Sequence, residues 1–206
     1  DPSLDIDTST PQGSMIISFM SMQDEYYAND ISRRAKSSAA YRKAQGKTIG
    51  MPPFGTVRDA EGYLTASQEG AWLLPDGTFL AGLVGEEPPD PEAIWRGFYD
   101  CAERILVLYS ENKRGLERLS YQMNQEGWAF RDRTGQPRPL NRDDVRRVTS
   151  GWREYAGIIT DGRGKDKNAS MIDDPLADLY QTGREVFDYD LLRQVAEVQK
   201  ARSSTK

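Results

Sequence analysis

The sequence predicts an α+β protein that is mainly α, with a long N-terminal helix followed by a helical domain that contains a small β-hairpin or sheet. Apolar residues recur at three- and four-residue spacing over several long stretches, as they do along one face of an α-helix. Between Gly62 and Leu80, turn residues separate short apolar or β-branched runs, which is typical of short strands. The 206 residues include 4 Trp, 10 Tyr and 6 Phe, which are enough aromatic side chains to pack a core.

The N-terminal helix is predicted to follow an exposed, turn-rich lead-in that ends at about Gly13. Pro11 is well placed for the first turn, and the periodic apolar run from Met15 to Ile31 continues in the same phase to about Ala44. The first half of this helix is apolar, whereas the second half is small and basic. The Gly and Pro residues between Gly46 and Gly55 end it.

Short strands are predicted around Gly62–Thr65, Ala71–Leu74 and Thr78–Leu80. The turn Pro75-Asp76-Gly77 lies between the last two, so these should form a small hairpin.

Two helices are predicted next, one from about Pro91 to Asn112 and one from Leu116 to about Glu126. Asp90 is a good N-cap for the first, which carries a broad apolar face and should be the central helix of the core. Gly127 is the expected C-terminal stop of the second.

Two further helices complete the prediction. Asn141 should cap a helix that runs to about Glu154, with Val145, Val148 and Trp152 facing inward. After an apolar cluster at Ile158 and Ile159 and a polar loop, a closing helix is expected from Asp188 to about Arg202.

The residue inventory excludes several chemistries for this chain. With no His there is no imidazole base or ligand, and Cys101 alone forms neither an intrachain disulfide nor a thiolate zinc cluster, so we expect no metal site. Cys101 is expected to be a buried filler. No apolar run is long enough to span a membrane and the N-terminus is acidic, so we expect a soluble, cytoplasmic protein without a membrane partner.

The charges are strongly segregated although the net charge is only -5. One basic stretch contains Arg33, Arg34, Lys36, Arg42, Lys43, Lys47 and Arg58, with no acid from Ile31 until Asp59. A second contains Arg131, Arg133, Arg138, Arg142, Arg146, Arg147 and Arg153. Two basic lobes on an acidic body are compatible with a footprint on DNA or RNA, and the alternative is that both are solvated faces.

The second basic stretch also has the layout of a helix-turn-helix, in which the second helix enters the major groove of DNA. The break from Gly127 to Leu140 is longer than the usual three or four residues. An exposed Arg-rich helix without a partner therefore stays open as an alternative.

Several segments, in chain order, resemble the large serine recombinases. The lead-in DTSTPQG and the helix SMIISFMSMQDEYYANDISRRAKSS resemble the end of that family's catalytic module and its long exit helix. GKTIGMPPFG is similar to the linker into its recombinase domain. GLERLSYQMNQEGW and NRDDVRRVTSGWREYAGII are similar to that domain's signature, here Met123-Asn124, Gly127, Val145-Arg146-Arg147 and Tyr155-Ala156-Gly157. Tyr26 to Asn29 stand where many members have a Glu-Arg pair.

The resemblance implies four parts: 1–13, a remnant of the catalytic module; 14–45, the exit helix; 46–55, the linker; and 56–206, the recombinase domain. It implies a parent enzyme that cuts attachment-site DNA through a phosphoserine intermediate and exchanges the strands as a dimer or tetramer, without a cofactor or small-molecule substrate. Its nucleophilic serine would lie upstream of DTSTPQG, so this portion is expected to be inactive alone, with no catalytic residue. Whether the parent is an integrase, an invertase or a transposase stays open.

The resemblance also assigns roles to residues of this chain. All the basic residues of the two stretches above except Arg58 would bind DNA. Those before Lys47 would lie along phosphates, the segment Lys47–Gly55 could follow a minor groove, and Arg142, Arg146 and Arg147 would approach base edges. The apolar half of the long helix would contact other subunits through Met15, Ile16, Phe19, Met20, Tyr26 and Tyr27.

Other classes of function remain as alternatives. One is a DNA-binding regulator that performs no chemistry, and another is an oligomerisation module built on the Met-rich helix. A carboxylate enzyme would have to use the pairs Glu86-Glu87 or Asp173-Asp174, but adjacent residues in a loop rarely converge on one atom.

Overall fold

The computed structural model describes residues 10–45, 47, 50–111, 115–157 and 185–204. They belong to two compact units, residues 1–45 and 46–206. The architecture is mixed α+β, with a long N-terminal helix and small antiparallel sheets, as the sequence predicts. The predicted apolar cluster at Ile158 and Ile159, the polar loop after it and the pair Asp173-Asp174 lie outside the described residues.

The first unit contains helix α1, Pro11–Ala44. It begins at Pro11, inside the predicted lead-in that ends at about Gly13, because the Thr10 hydroxyl accepts a hydrogen bond from the Gly13 amide at 3.1 Å and so caps the first turn. At 1.5 Å per residue, its 34 residues extend about 51 Å. The apolar side chains of its first half are largely exposed, so the stability of this helix does not come from burial within the described residues.

Seven short strands form three antiparallel sheets among the described residues of the second unit. Strands β1 (Thr56–Arg58) and β2 (Leu64–Ala66) pair with each other. Strands β3 (Glu69–Leu73), β4 (Phe79–Leu83) and β5 (Ile94–Gly97) form a sheet in the order β4-β3-β5. Strands β6 (Phe130–Arg131) and β7 (Pro137–Arg138) form a hairpin. The predicted hairpin is confirmed as β3–β4, whereas β1, β5 and the β6–β7 pair were not predicted.

The start of the central helix was predicted wrongly. Helix α2 is Phe98–Ser110, and Ile94–Gly97, predicted to be helical, is strand β5. Asp90 does not cap a helix: its carboxylate accepts from the Glu92 amide at 2.8 Å and its carbonyl from the Ala93 amide at 3.0 Å, which closes a turn. Pairing of β5 with β3 outweighs the helical spacing of Ile94, Trp95 and Phe98.

Four more helices are described. They are α3 (Leu116–Gln125), α4 (Arg142–Ser150), α5 (Trp152–Tyr155) and α6 (Tyr189–Ser204). The stop after α3 is confirmed, because Gly127 has φ +75°, a left-handed conformation that favours glycine. The helix predicted from Asn141 to Glu154 is divided at Gly151 into α4 and α5.

The core of the second unit surrounds α2, whose Cys101, Ala102, Ile105 and Leu106 are fully buried. Burial raises the pKa of the Cys101 thiol far above its ordinary value, in agreement with the predicted role as a filler. The core is completed by side chains from α3, α4, α5 and α6, namely Leu119, Met123, Val145, Val148, Trp152, Tyr155, Leu192 and Val195.

Tyr155 and Phe54 join the start of the second unit to this core. The Tyr155 hydroxyl donates to the Phe54 carbonyl at 2.8 Å, and the Phe54 ring stacks on Phe130 with 3.9 Å between the ring centroids. Within the described ranges, no helix has the length and apolar character needed to cross a membrane.

Candidate nucleic-acid interface

The long connection between α3 and α4 is closed by one side chain, Asn124. Its Nδ2 donates to the Leu140 carbonyl at 2.9 Å, and its Oδ1 accepts from the Leu140 amide at 2.8 Å. The extra residues between the two helices form the β6–β7 hairpin. The two helices therefore hold a defined arrangement although their connection exceeds the three or four residues of a short turn.

A capping box fixes the start of α4. The Asn141 Oδ1 accepts from the Asp144 amide at 3.0 Å, and the Asp144 Oδ2 accepts from the Asn141 amide at 2.9 Å. The same carboxylate binds both Nη atoms of Arg138, at 2.6 and 2.9 Å. Because the Asp144 side chain is only 4% exposed, this fork ties the β6–β7 hairpin to the first turn of α4.

A second carboxylate, Glu126, fixes the C-terminal end of α3. It accepts from Arg104 Nε and Nη2 at 3.0 and 2.9 Å, and from Gln122 and Trp128 at 2.8 and 3.0 Å. The hydrogen bonds from Arg104 lower the pKa of Glu126 to about 2, with smaller contributions from Gln122 and Trp128. Since Arg104 lies on α2, this cluster connects α3 to the central helix.

Helix α4 is divided sharply into two faces. Asp144, Val145, Val148 and Thr149 are buried against the domain. The opposite face is exposed and consists of Arg142, Asp143, Arg146, Arg147 and Ser150. This face meets solvent with three guanidinium groups, of which Arg146 alone has an ion pair with a described residue, to Asp143 at 3.2 Å. Both partners are mostly exposed, and such pairs contribute little free energy, so Arg146 stays available to a ligand.

The remaining arginines of the second basic stretch have different surroundings. Arg131 binds Glu69 at 2.7 Å, Arg138 binds Asp144, and the Arg153 guanidinium lies over the Trp152 ring, 4.7 Å from its centroid. Arg131 and Arg138 therefore connect parts of the domain, whereas Arg153 covers the ring of its neighbour Trp152. Arg133 is exposed in the β6–β7 turn, where it is open to a ligand.

The first basic stretch lies mostly on α1. Arg33 and Arg34 are 81% and 80% exposed and share Asp30, at 2.9 and 2.8 Å. Lys36 and Arg42 are exposed, and the side chain of Lys43 lies outside what the structure describes. In the second unit, the Lys47 ammonium lies 5.6 Å from the centroid of the Tyr63 ring.

The predicted contact surface on α1 is exposed at all six of its residues, Met15, Ile16, Phe19, Met20, Tyr26 and Tyr27. Ile17 and Met22, which the prediction omitted, are also exposed and belong to the same half of the helix. Clusters of exposed apolar side chains are typical of contacts with another polypeptide.

Sequence reasoning predicted the Asn141 cap, which is confirmed, but missed the reciprocal bond from Asp144 and the other residues that organise the candidate interface. The Asn-x-x-Asp spacing of Asn141 and Asp144 is a capping-box signal that was available. Asn124, Glu126 and the internal role of Arg138 have no local signal, because their partners lie 16, 22 and 6 residues away. Among the described residues, no group of three potential ligand residues is placed to hold a metal ion.

Comparison with known proteins adds no relative to this description. No family model matches the sequence, and no curated protein or solved structure matches it significantly. The resemblance to large serine recombinases therefore rests on the sequence segments quoted above.

Proposed function

We propose that this chain is the DNA-binding portion of a large serine recombinase and that it grips duplex DNA at an attachment site, with α4 as the reading helix. The observation that carries the proposal is the exposed face of α4, where Arg142, Arg146 and Arg147 stand on a helix whose other face is buried. The ordered segment resemblances support the choice of family. Cleavage and strand exchange belong, in this proposal, to the full enzyme.

The dimensions of α4 are appropriate for a groove. Its nine residues extend about 13 Å, which agrees with a short recognition helix in the major groove. An arginine fork can pair with O6 and N7 of guanine, so each of the three side chains is able to read a base edge. The Asn124 hydrogen bonds and the Asp144 fork fix the position of this helix on the domain, and its exposed face carries the three arginines.

The basic half of α1 supplies phosphate contacts in this proposal. Arg33, Arg34, Lys36 and Arg42 are exposed side chains on one helix, and the segment 47–55 after it is rich in Gly and Pro. Contacts of this kind give affinity without sequence information and make binding depend on salt. The internal roles of Arg131 and Arg138 make them supports of the site, so they are left out of the proposed contact set.

Self-association is a second candidate function, favoured by the exposed apolar half of α1. It is compatible with DNA binding, since recombinases of this kind act as dimers or tetramers. Analytical ultracentrifugation without DNA tests it: association that weakens in Phe19→Ser and Met20→Ser supports a contact role, and a monomer at all concentrations contradicts it.

The proposed function is tested by fluorescence anisotropy on a random duplex and on duplexes from the ends of the host element, over a series of salt concentrations. We expect log affinity to fall linearly with log salt. Arg146→Ala should weaken binding to its cognate site by about 1–3 kcal/mol if it reads a base, and should weaken all sequences alike if it binds phosphate.

The matched control is Arg193→Ala on α6, which removes the same charge from an exposed side chain outside the candidate interface. It should leave affinity nearly unchanged. Equal losses of DNA affinity in the two variants would mean that α4 contributes only its net charge. An absence of DNA binding at low salt would overturn the proposal.

A further inference from the structure

One face of the three-stranded sheet β4-β3-β5 carries a row of large apolar side chains beside a row of glycines. The strand register places Leu80, Trp72 and Trp95 directly opposite one another. Two residues along each strand, the register places Gly82, Gly70 and Gly97 opposite one another. Because side chains alternate between the two faces of a strand, both rows lie on the same face.

The two indole rings pack over glycines of this row. A methyl group added at Gly70 would lie 2.6 Å from Cζ2 of Trp95, and one added at Gly82 would lie 2.7 Å from Nε1 of Trp72. The ring centroids are 5.0 Å apart with 59° between the planes. We call Trp72, Trp95 and Leu80 on this glycine floor the tryptophan platform.

The platform lies on the side of the sheet away from the core. Ala71 and Phe79, whose side chains point to the other face, are respectively buried in the core and packed against it. Trp72 and Trp95 are absent from that packing and only half-buried, and Leu80 is 48% exposed. These large apolar side chains are therefore partly exposed to solvent and do not belong to the hydrophobic core.

A carboxylate stands at each end of the glycine row. Oδ2 of Asp100 lies 2.6 Å from the position of a methyl group at Gly97, and Oε2 of Glu86 lies 3.1 Å from the equivalent position at Gly82. Two strand spacings separate Gly97 from Gly82, which are therefore about 10 Å apart. Glu86 accepts from the Leu83 amide at 2.8 Å, whereas Asp100 has no hydrogen-bond or ion-pair partner among the described residues.

The other two tryptophans each have a partner for the indole ring and a partner for the indole N–H group. Arg96 lies 4.8 Å from the Trp128 centroid, and Arg153 lies 4.7 Å from that of Trp152. Their indole N–H groups donate to Glu126 and Gln199. In the described part of the chain, neither Trp72 nor Trp95 receives a cation or donates its indole N–H.

We propose that the tryptophan platform binds an arginine side chain of a partner protein. The guanidinium stacks on the indole faces, where tryptophan is the strongest aromatic acceptor of a cation, and its fork points toward Asp100. The charge of the site selects the occupant, because both carboxylates attract a cation and repel the phosphates of a nucleic acid. This surface shares no residue with the proposed DNA contact on α4.

The test uses the four indole N–H signals in nitrogen-15 NMR spectra, assigned with Trp72→Phe and Trp95→Phe. The full chain is titrated at constant ionic strength with the peptide Ac-Ala-Ala-Arg-Ala-Ala-amide and with the same peptide carrying citrulline, which is neutral and has nearly the same shape. We expect the signals of Trp72 and Trp95 to move with the arginine peptide and those of Trp128 and Trp152 to stay in place. The citrulline peptide should bind about three- to tenfold more weakly.

Asp100→Asn is the deciding variant, and Asp143→Asn, another exposed carboxylate, is its matched control. Asp100→Asn should weaken arginine binding about threefold, while Asp143→Asn leaves it unchanged. Unshifted Trp128 and Trp152 signals report that each variant is folded. The proposal is overturned if Trp72 and Trp95 do not respond, if citrulline binds as well as arginine, or if both carboxylate variants behave alike. In those cases the rings serve only to cover the glycines.

Discussion

The two basic regions of this molecule have similar compositions but differ in structure. On α1, the described partner of Arg33 and Arg34 is Asp30, within one turn of their own helix. In the β6–β7–α4 region, Arg131 and Arg138 bind carboxylates of the folded domain, and Arg153 covers a core tryptophan. The basic side chains of a solvated helix thus stay available to a ligand. In a packed domain, some of the arginines stabilise the fold and the others are exposed on the surface.

Asp144 gives the largest expected effect in this comparison, because it serves the capping box and the Arg138 fork together. Asp144→Ala should lower the free energy of unfolding by about 2–4 kcal/mol, since it removes one hydrogen bond of the capping box and leaves a charged fork without its partner. Urea denaturation measures the change.

Asp143→Ala is the control for Asp144→Ala, since Asp143 is a neighbouring carboxylate that is 72% exposed. It should change the stability by less than about 0.5 kcal/mol. Similar losses in the two variants would show that Asp144 contributes only helix-dipole energy.

The second largest expected effect is a pH dependence of the free energy of unfolding, which comes from Glu126. Its pKa is lowered in the folded state to about 2, so the stabilisation is complete above the ordinary carboxyl pKa and is lost as the pH falls toward 2. Its side chain is 29% exposed, and we expect a loss of about 2 kcal/mol over that range. Thermal unfolding between pH 5 and about pH 2 measures it.

Glu126→Gln should flatten the pH dependence, whereas Glu117→Gln, on the exposed face of α3, should leave it as it is. A wild-type slope that persists in Glu126→Gln would assign the acid sensitivity to other carboxylates.

Part of this architecture could be predicted from sequence because its signals are local. The spacing from Met15 to Ala44, the turn at Pro75–Gly77 and the stop at Gly127 predicted α1, the β3–β4 hairpin and the end of α3. Strand β5 could not be predicted, because Ile94 and Trp95 have helical spacing and their pairing with β3 depends on residues about 20 positions earlier.

The same limit applied to the candidate site. Composition identified where the arginines concentrate, and the exposed face of α4 agrees with helical periodicity. The positions of Glu69 and Asp144 in the fold decide which arginines have an internal partner. The pattern of charges along the sequence does not show those positions.

The smallest expected effect comes from Asp30, and it tests the α1 side of the comparison directly. Asp30 has a side-chain exposure of 16% beneath two arginines that are almost fully exposed. Asp30→Asn should change the free energy of unfolding by less than about 0.5 kcal/mol, because exposed ion pairs contribute little. It should tighten binding to random duplex at low salt about two- to threefold, since it removes one negative charge beside two proposed phosphate contacts, and the gain should vanish at high salt. Asp24→Asn, which removes the same charge from the apolar half of α1, is the control. If the two variants bind DNA equally well, the gain reflects net charge, and the basic half of α1 is not the part of the helix that lies against the phosphates.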